Sequence, residues 1–182
     1  MYEELVEQKK KEWEEQPMLR PRIAAVKINM SLGRAGEVLN RGMGVLEELT
    51  GQKPVPTYSK QTWRKWGIRK GQEVGAKVTV RGDKAYELLM KLLHTKEYKV
   101  KRSSIDRQGN FGFGINEHID IPGLEYDPNV GIFGFDVIVQ MERAGYRVKN
   151  RSVRRTKIPQ KQFLKPEDTI VFLIDQYGAE II

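Results

Sequence analysis

Between Tyr58 and Gly75 the chain reads YSKQTWRKWGIRKGQEVG: five cations (Lys60, Arg64, Lys65, Arg69, Lys70), two tryptophans (Trp63, Trp66) and a single carboxylate, Glu73. Cations at this density pair with phosphates, and an indole set among them can stack on a base or a ribose. An indole also packs under loops, so one of the two tryptophans is expected to be structural and the cations functional. The stretch lacks the helical amphipathic period that would lay it in a bilayer, which favours a polynucleotide over a membrane.

Two further segments alternate with period two. In RIAAVKINMSL, Val26, Ile28 and Met30 share one side of an expected strand, and Lys27, Asn29 and Ser31 share the other. In EVGAKVTVRG, Val74, Ala76, Val78 and Val80 oppose Lys77, Thr79 and Arg81. If the two strands lie close in one sheet, their polar rows form a patch of cations mixed with neutral donors and acceptors. The cations would hold phosphate, and Asn, Ser and Thr would bond sugar hydroxyls and base edges in a wide, shallow RNA minor groove. A solvated sheet face alternates in the same way; the adjoining basic loop tips the reading towards binding. A second basic block runs from Arg143 to Lys165, with nine cations and no acid, among them Arg147, Lys149, Arg151, Arg154, Arg155 and Lys157. A charge run is usually a solvated or disordered arm, but nine uncompensated cations in 23 residues exceed what solubility needs, so contact with RNA is expected.

Catalytic constellations are thin. Glu117, His118 and Asp120 lie close in sequence, but a strand would send Glu117 to the face opposite His118 and Asp120, which leaves too few ligands for a metal. Solvated polar residues at a strand end describe them better. His94 reads as a residue favoured at a helix C-terminus. GNFGFG lacks the Lys-Ser/Thr ending of a phosphate-cradling loop. No catalytic residue, metal site or cofactor is expected.

The elements that must position these residues can be read in turn. Residues 2–16 carry Glu and Lys at helical pair spacing and stop at Pro17 and Pro21. AGEVLNRGMGVLEELTG is a helix with Val38, Leu39, Met43, Leu46 and Leu49 at apolar spacing and Gly51 as its stop; Gly42 and Gly44 weaken it and would let it pack close to the sheet. KPVPTYS is extended. DKAYELLMKLLH is a helix capped by Asp83 with Leu88, Leu89, Leu92 and Leu93 inward. YKVKRSSID is basic and extended, GNFGFGINEHIDIPG and IFGFDVIVQMER are strands, and KPEDTIVFLIDQYG is a helix with Pro166 in its first turn and Gly178 at its end. Strands compatible with antiparallel pairing and about three core helices make an α+β fold: an antiparallel sheet with helices on one face and an open polar face on the other.

Composition sets the outer bounds. The 182 residues fit one domain, residues 1–182, with a basic loop at 58–75 and a basic segment at 143–165. There is no cysteine, hence no disulfide framework, thiol nucleophile or thiolate metal site, and no apolar run approaches a membrane span or a signal-peptide core. A cytoplasmic protein is expected. The net charge is +8 and the mean hydropathy −0.57. The charge is blocked rather than interleaved: residues 53–81 hold eight cations and one acid, whereas residues 108–142 hold six acids and no Lys or Arg. Two basic blocks point to a polyanionic partner.

GQKP at 51–54, IRKGQEVGAKVTVRG at 68–82, GNFGFGINEHI at 109–119 and YDPNVGIFGFDV at 126–137 fall in the order seen in the large-subunit ribosomal protein L-five family, which the chain resembles over nearly its whole length. The short N-terminal helix and YRVKNRSVRRTKIP resemble the archaeal and eukaryotic branch. Ser31-Leu32-Gly33 and Ser59-Lys60-Gln61 depart from the family's usual residues. The resemblance implies a structural, non-enzymatic constituent of the large subunit, placed in the central protuberance of the cytoplasmic ribosome. It implies 5S rRNA bound through the sheet face by Asn29, Gln52 and Thr79, with Lys27, Ser31, Lys53, Lys77 and Arg81 nearby. It further implies a 58–75 loop directed towards peptidyl-site tRNA and 23S rRNA, and contacts with neighbouring ribosomal proteins. The alternatives are an RNA-modifying enzyme, which needs an acid/base cluster the sequence does not assemble, and an extra-ribosomal module that binds RNAs without preference.

Overall fold

The computed structural model describes residues 3–33, 36–124 and 126–182. The first residues of two expected helices, 2 and 35, lie outside them. Four helices and a five-stranded antiparallel sheet make an α+β fold, as the periodicities foretold. The helices are α1 (Glu3–Glu15), α2 (Glu37–Thr50), α3 (Asp83–Thr95) and α4 (Pro166–Tyr177). The strands are β1 (Arg22–Ser31), β2 (Val55–Tyr58), β3 (Glu73–Val80), β5 (Phe111–Ile115) and β6 (Phe135–Glu142), in the order β2-β3-β1-β6-β5. A short parallel pair, β4 (Lys99–Val100) with β7 (Glu180–Ile181), ties the C-terminus to the segment after α3. That pair is absent from the sequence reading, because two-residue strands carry no period.

The core follows from the pleat. Val26, Ile28 and Met30 of β1, Ala76, Val78 and Val80 of β3, Val137 and Val139 of β6, and Phe111 and Ile115 of β5 are buried on one side of the sheet. They meet Leu39, Val45 and Leu46 of α2, Leu88, Leu89, Leu92 and Leu93 of α3, and Val171, Phe172 and Leu173 of α4 in one cluster. Trp13 of α1 joins it, 6% exposed, so the N-terminal helix belongs to the core and the core helices number four rather than three.

Local chemistry sets the helix ends. Gly51 ends α2 and Gly178 ends α4, each in the left-handed conformation (φ 62° at both) that closes the final carbonyls. Gly42 does let α2 sit close: a Cβ there would lie 2.8 Å from Met30 Sδ and 2.9 Å from Leu32 Cδ1, whereas one on Gly44 would meet open space. Asp83 does not cap α3. Gly82 holds the cap position at φ 70°, a conformation awkward for a side chain, and Asp83 is the first helical residue, where its carboxylate still opposes the helix dipole. No helix among the described residues is long and apolar enough to cross a membrane.

Candidate nucleic-acid interface

The residues left facing away from the core are those whose parity is opposite to the buried ones. β1 and β3 are direct antiparallel neighbours, with Lys27 opposite Thr79, Asn29 opposite Lys77 and Ser31 opposite Gly75. The two polar rows therefore lie side by side, with side chains about 4.5–5.5 Å apart at Cβ. Lys27, Asn29 and Thr79 are half-buried; Ser31, Lys77 and Arg81 are exposed. Arg81 follows the last residue of β3, outside the ladder. Among the described residues none of Lys27, Lys77 and Arg81 forms an ion pair. The β1–β3 crossing is close at its far end, where a Cβ on Gly75 would lie 2.3 Å from the Met30 carbonyl oxygen.

β6 supplies a third row that sequence reading left out of the face. Asp136 stands opposite Asn29 and Ile138 opposite Lys27. Across β6, β5 presents Gly114 and Gly112 at the same levels. The outward surface thus carries a carboxylate and a 46%-exposed isoleucine beside its cations and amides. The parity of FDVIVQME could have shown this, since Asp136 and Ile138 alternate with buried Val137 and Val139. Gln52 and Lys53 reach the other margin of the sheet. They follow the α2 stop, where Thr50 Oγ1 donates to the Leu46 carbonyl (2.7 Å) and accepts from the Gln52 amide (3.3 Å), and they lead into Val55, which faces Lys77. Gln52 is half-buried and Lys53 exposed.

The 58–75 stretch is a closed hairpin rather than a flexible loop. β2 and β3 continue their pairing outward: the Ser59 amide donates to the Gln72 carbonyl (2.9 Å) and the Gly71 amide to the Ser59 carbonyl (2.8 Å). Further out, Trp63 and Ile68 exchange backbone bonds of 2.8 and 3.2 Å around a 3-10 turn, Arg64–Trp66. The expectation that one loop tryptophan is tucked inward fails. Trp63 is 49% and Trp66 67% exposed, and their rings pack on each other at 5.4 Å between centroids, inclined by 47°. The indole the core takes is that of Trp13. Lys60, Arg64, Lys65, Arg69 and Lys70 surround the pair, all exposed and, among the described residues, free of ion pairs.

The 143–165 segment is tied down at both ends rather than a disordered arm, though most of its cations stay solvated. Its first cation faces inward: Arg143 is buried, and its Nη2 lies 2.5 Å from Oδ2 of the fully buried Asp168, whose Oδ1 is 3.3 Å from Lys9 Nζ. Asp168 Oδ2 also accepts from the Lys165 amide at 3.1 Å, so one carboxylate joins α1, the end of β6 and the start of α4. The buried Tyr146 closes the base of the loop, its hydroxyl donating to the Gln162 carbonyl (2.8 Å) and accepting from the Leu164 amide (3.1 Å); burial raises its pKa. Lys149 Nζ sits 4.8 Å from the Tyr146 ring centroid, and Arg151 Nε donates to the Arg154 carbonyl at 2.9 Å. Arg147, Arg151, Arg154, Arg155 and Lys157 are exposed, and Lys149 is half-buried.

The acidic candidates do not converge. His118 is buried, not solvated as expected, because its Nδ1 accepts the Phe133 amide at 3.2 Å; Glu117 and Asp120 stay exposed on a 3-10 turn. His94 is exposed in the last turn of α3, edge-on to Tyr98. Among the described residues no three His, Asp or Glu side chains are grouped to hold a metal. The arrangement can bind an extended polyanion through three basic or polar regions.

Known proteins resemble this chain in the same regions. The pattern of the family described as ribosomal protein L5 matches residues 16–69, and that of the ribosomal L5P family C-terminus matches residues 73–169. The chain is 47% identical, over 94% of its length and 90% of the relative's, to the large ribosomal subunit protein uL5 of Aeropyrum pernix. It is 46% identical to the protein of that name from Methanococcus vannielii, over 93% of this chain and 96% of the relative, and equally so to that of one Methanococcus maripaludis strain.

Proposed function

Because the chain belongs to the ribosomal protein L5 family of the large ribosomal subunit, we propose that its outward sheet face is a binding surface for 5S rRNA. The observation that carries this reading is the β1–β3 register, which sets Asn29 beside Lys77 and Lys27 beside Thr79 on the side of the sheet away from the core. The ammonium groups hold phosphates, and the neutral donors and acceptors between them bond riboses and base edges in the minor groove. Gln52 and Lys53 extend the contact at the β2 margin. Where this sequence writes Ser31-Leu32-Gly33, the strand end keeps a defined turn: the Leu32 and Gly33 amides both donate to the Val74 carbonyl at 2.9 Å.

The hairpin and the basic segment take other RNAs. The hairpin carries its five cations and its indole pair away from the sheet, a form suited to reach peptidyl-site tRNA or 23S rRNA across a gap. The exposed cations of 147–157 suit 23S rRNA or the junction with neighbouring ribosomal proteins. The protein acts in the central protuberance of the cytoplasmic ribosome as a positioning element, with no chemical step of its own.

Filter binding of 5S rRNA against competitor tRNA tests the sheet face. Asn29→Ala combined with Thr79→Ala is expected to weaken 5S binding while the circular dichroism spectrum and melting point hold. Unchanged affinity in the double variant would remove the sheet face as the site.

A further inference from the structure

Contact with phosphate needs only exposed cations, yet the 143–165 segment also folds around a cavity of about 410 Å³. Tyr146, 5% exposed, forms its floor, and Val148, Ile158 and Pro159 form its apolar walls. Thr156 and Gln162 add a hydroxyl and an amide to the lining, and both residues are exposed. The cavity is held in shape within the free chain. The Thr156 amide donates to the Val148 carbonyl at 3.3 Å across one side, and the Tyr146 hydroxyl donates to the Gln162 carbonyl at 2.8 Å across the other. Between them Arg151 Nε fixes the turn at Arg154, which sits at φ 52°. A recess made in advance costs a ligand little ordering of the protein.

Size and charge together select the occupant. The volume lies at the small end of the range of about 300–1,000 Å³ usual for small-ligand sites, so it takes one compact group rather than a helix or a strand of a partner. Lys157 lines the cavity, Arg147 and Arg155 adjoin lining residues in the chain, and no acid occurs from residue 143 to residue 165. Among the described residues none of these three cations forms an ion pair. An apolar side chain of a partner protein would suit the walls but leave this field unanswered. A nucleotide brings an apolar face, a hydrogen-bonding edge and a negative charge in one unit.

Resting on the reading above that the basic segment meets RNA, we propose that this cavity is a site for a single nucleotide. The base of an unpaired, splayed-out nucleotide inserts between Val148, Ile158 and Pro159, its edge meets Thr156 and Gln162, and its phosphate lies on Lys157 and the neighbouring arginines. A free mononucleotide carries the same chemistry as a nucleotide within a strand, and the experiment separates the two.

Methyl NMR of the full chain reads the cavity directly through Val148 and Ile158. A Trp63→Ala, Trp66→Ala background keeps the hairpin indoles from stacking on the same probes. The probes are a single-stranded RNA of about six nucleotides, the same strand with abasic riboses, adenosine 5′-monophosphate and ribose 5-phosphate. The intact strand should shift both methyl signals by ring current; the abasic strand should leave them in place and bind about fivefold or more weakly. Ile158→Trp fills the cavity and keeps every cation, so it should bind the intact strand no better than the abasic one. If that variant does not fold, the abasic comparison decides alone. Shifts with the strand and not with the monophosphate assign the site to RNA, and shifts with the monophosphate as strong as those with the strand assign it to a free nucleotide. Equal responses to probes with and without a base overturn the proposal, as do no response to any probe or a response only to a capped acidic peptide carrying one leucine. Arg147→Gln with Arg154→Gln and Arg155→Gln then separates the two readings. If this triple variant binds the strand more weakly while the methyl signals ignore the base, only the cavity's role falls. If its affinity is unchanged, the RNA reading of the segment falls as well.

Discussion

Replacing Lys27 and Lys77 together by alanine turns the geometry of the face into a number. The two residues sit on adjacent strands, opposite Thr79 and Asn29, and among the described residues neither ammonium is held by a carboxylate. Each should therefore displace a counterion when RNA docks. A phosphate contact contributes about 0.7–0.9 to the slope of log affinity against log salt, so two lost contacts flatten that slope by about 1.4–1.8. Over a fourfold rise, from about 50 to 200 mM, the unmodified protein should lose about 7–12 times more affinity than the variant. Filter binding of labelled 5S rRNA across that range reads both slopes. Neither side chain belongs to the core cluster, so the unfolding free energy should change by no more than the few tenths of a kcal/mol usual for surface changes. The neutral pair Asn29→Ala with Thr79→Ala is the control: it should lower affinity at every salt concentration and leave the slope alone, since uncharged groups release no counterions. Parallel slopes for the lysine variant and the unmodified protein would refute the placing of phosphates over this face.

Changing Lys60, Arg64, Lys65, Arg69 and Lys70 together to glutamine should leave binding of isolated 5S rRNA intact and slow translation in a reconstituted system; loss of 5S binding instead would mean the hairpin and the sheet do not divide the work. Asp168→Ala strands the buried guanidinium of Arg143, whose Nε lacks a partner among the described residues, and should cost about 3–5 kcal/mol in urea unfolding. A cost below about 1 kcal/mol would show that Arg143 escapes to water. Acid should loosen α1. The hydrogen bond from Lys10 holds the Asp175 carboxyl below its ordinary pKa, with a salt bridge of 2.5 Å, so the contact stabilises at pH above about 4 and is lost as pH falls through the depressed value. In a Trp63→Phe, Trp66→Phe background Trp13 alone reports that release by fluorescence, and Lys10→Ala should abolish the step; a step that survives Lys10→Ala would assign it to another group.

Much of the fold was legible because its signals are local. A pleat reverses side chains every residue, so Val26, Ile28 and Met30 had to oppose Lys27, Asn29 and Ser31 wherever the strand went. Gly51 and Gly178 announced helix ends because few other residues take that backbone shape without strain. Legibility ended where burial depends on residues distant in the chain. Arg143 opens a run of cations and reads as exposed; it is buried because Asp168, 25 residues on, waits for it inside. The hairpin tryptophans read as one inward and one outward, yet both stand exposed at the tip, packed on each other.

By itself, then, the sequence pointed to a polyanionic partner and marked the two polar rows proposed to meet it, since charge blocks and period-two alternation need no knowledge of neighbours. Only the tertiary structure decided which rows touch. Strand order and register arise from pairing across long loops, and these put β1 between β3 and β6, so that Asn29 gained Lys77 on one side and Asp136 on the other. Alternation says which way a side chain points; hydrogen-bonded pairing of separate strands says what stands next to it.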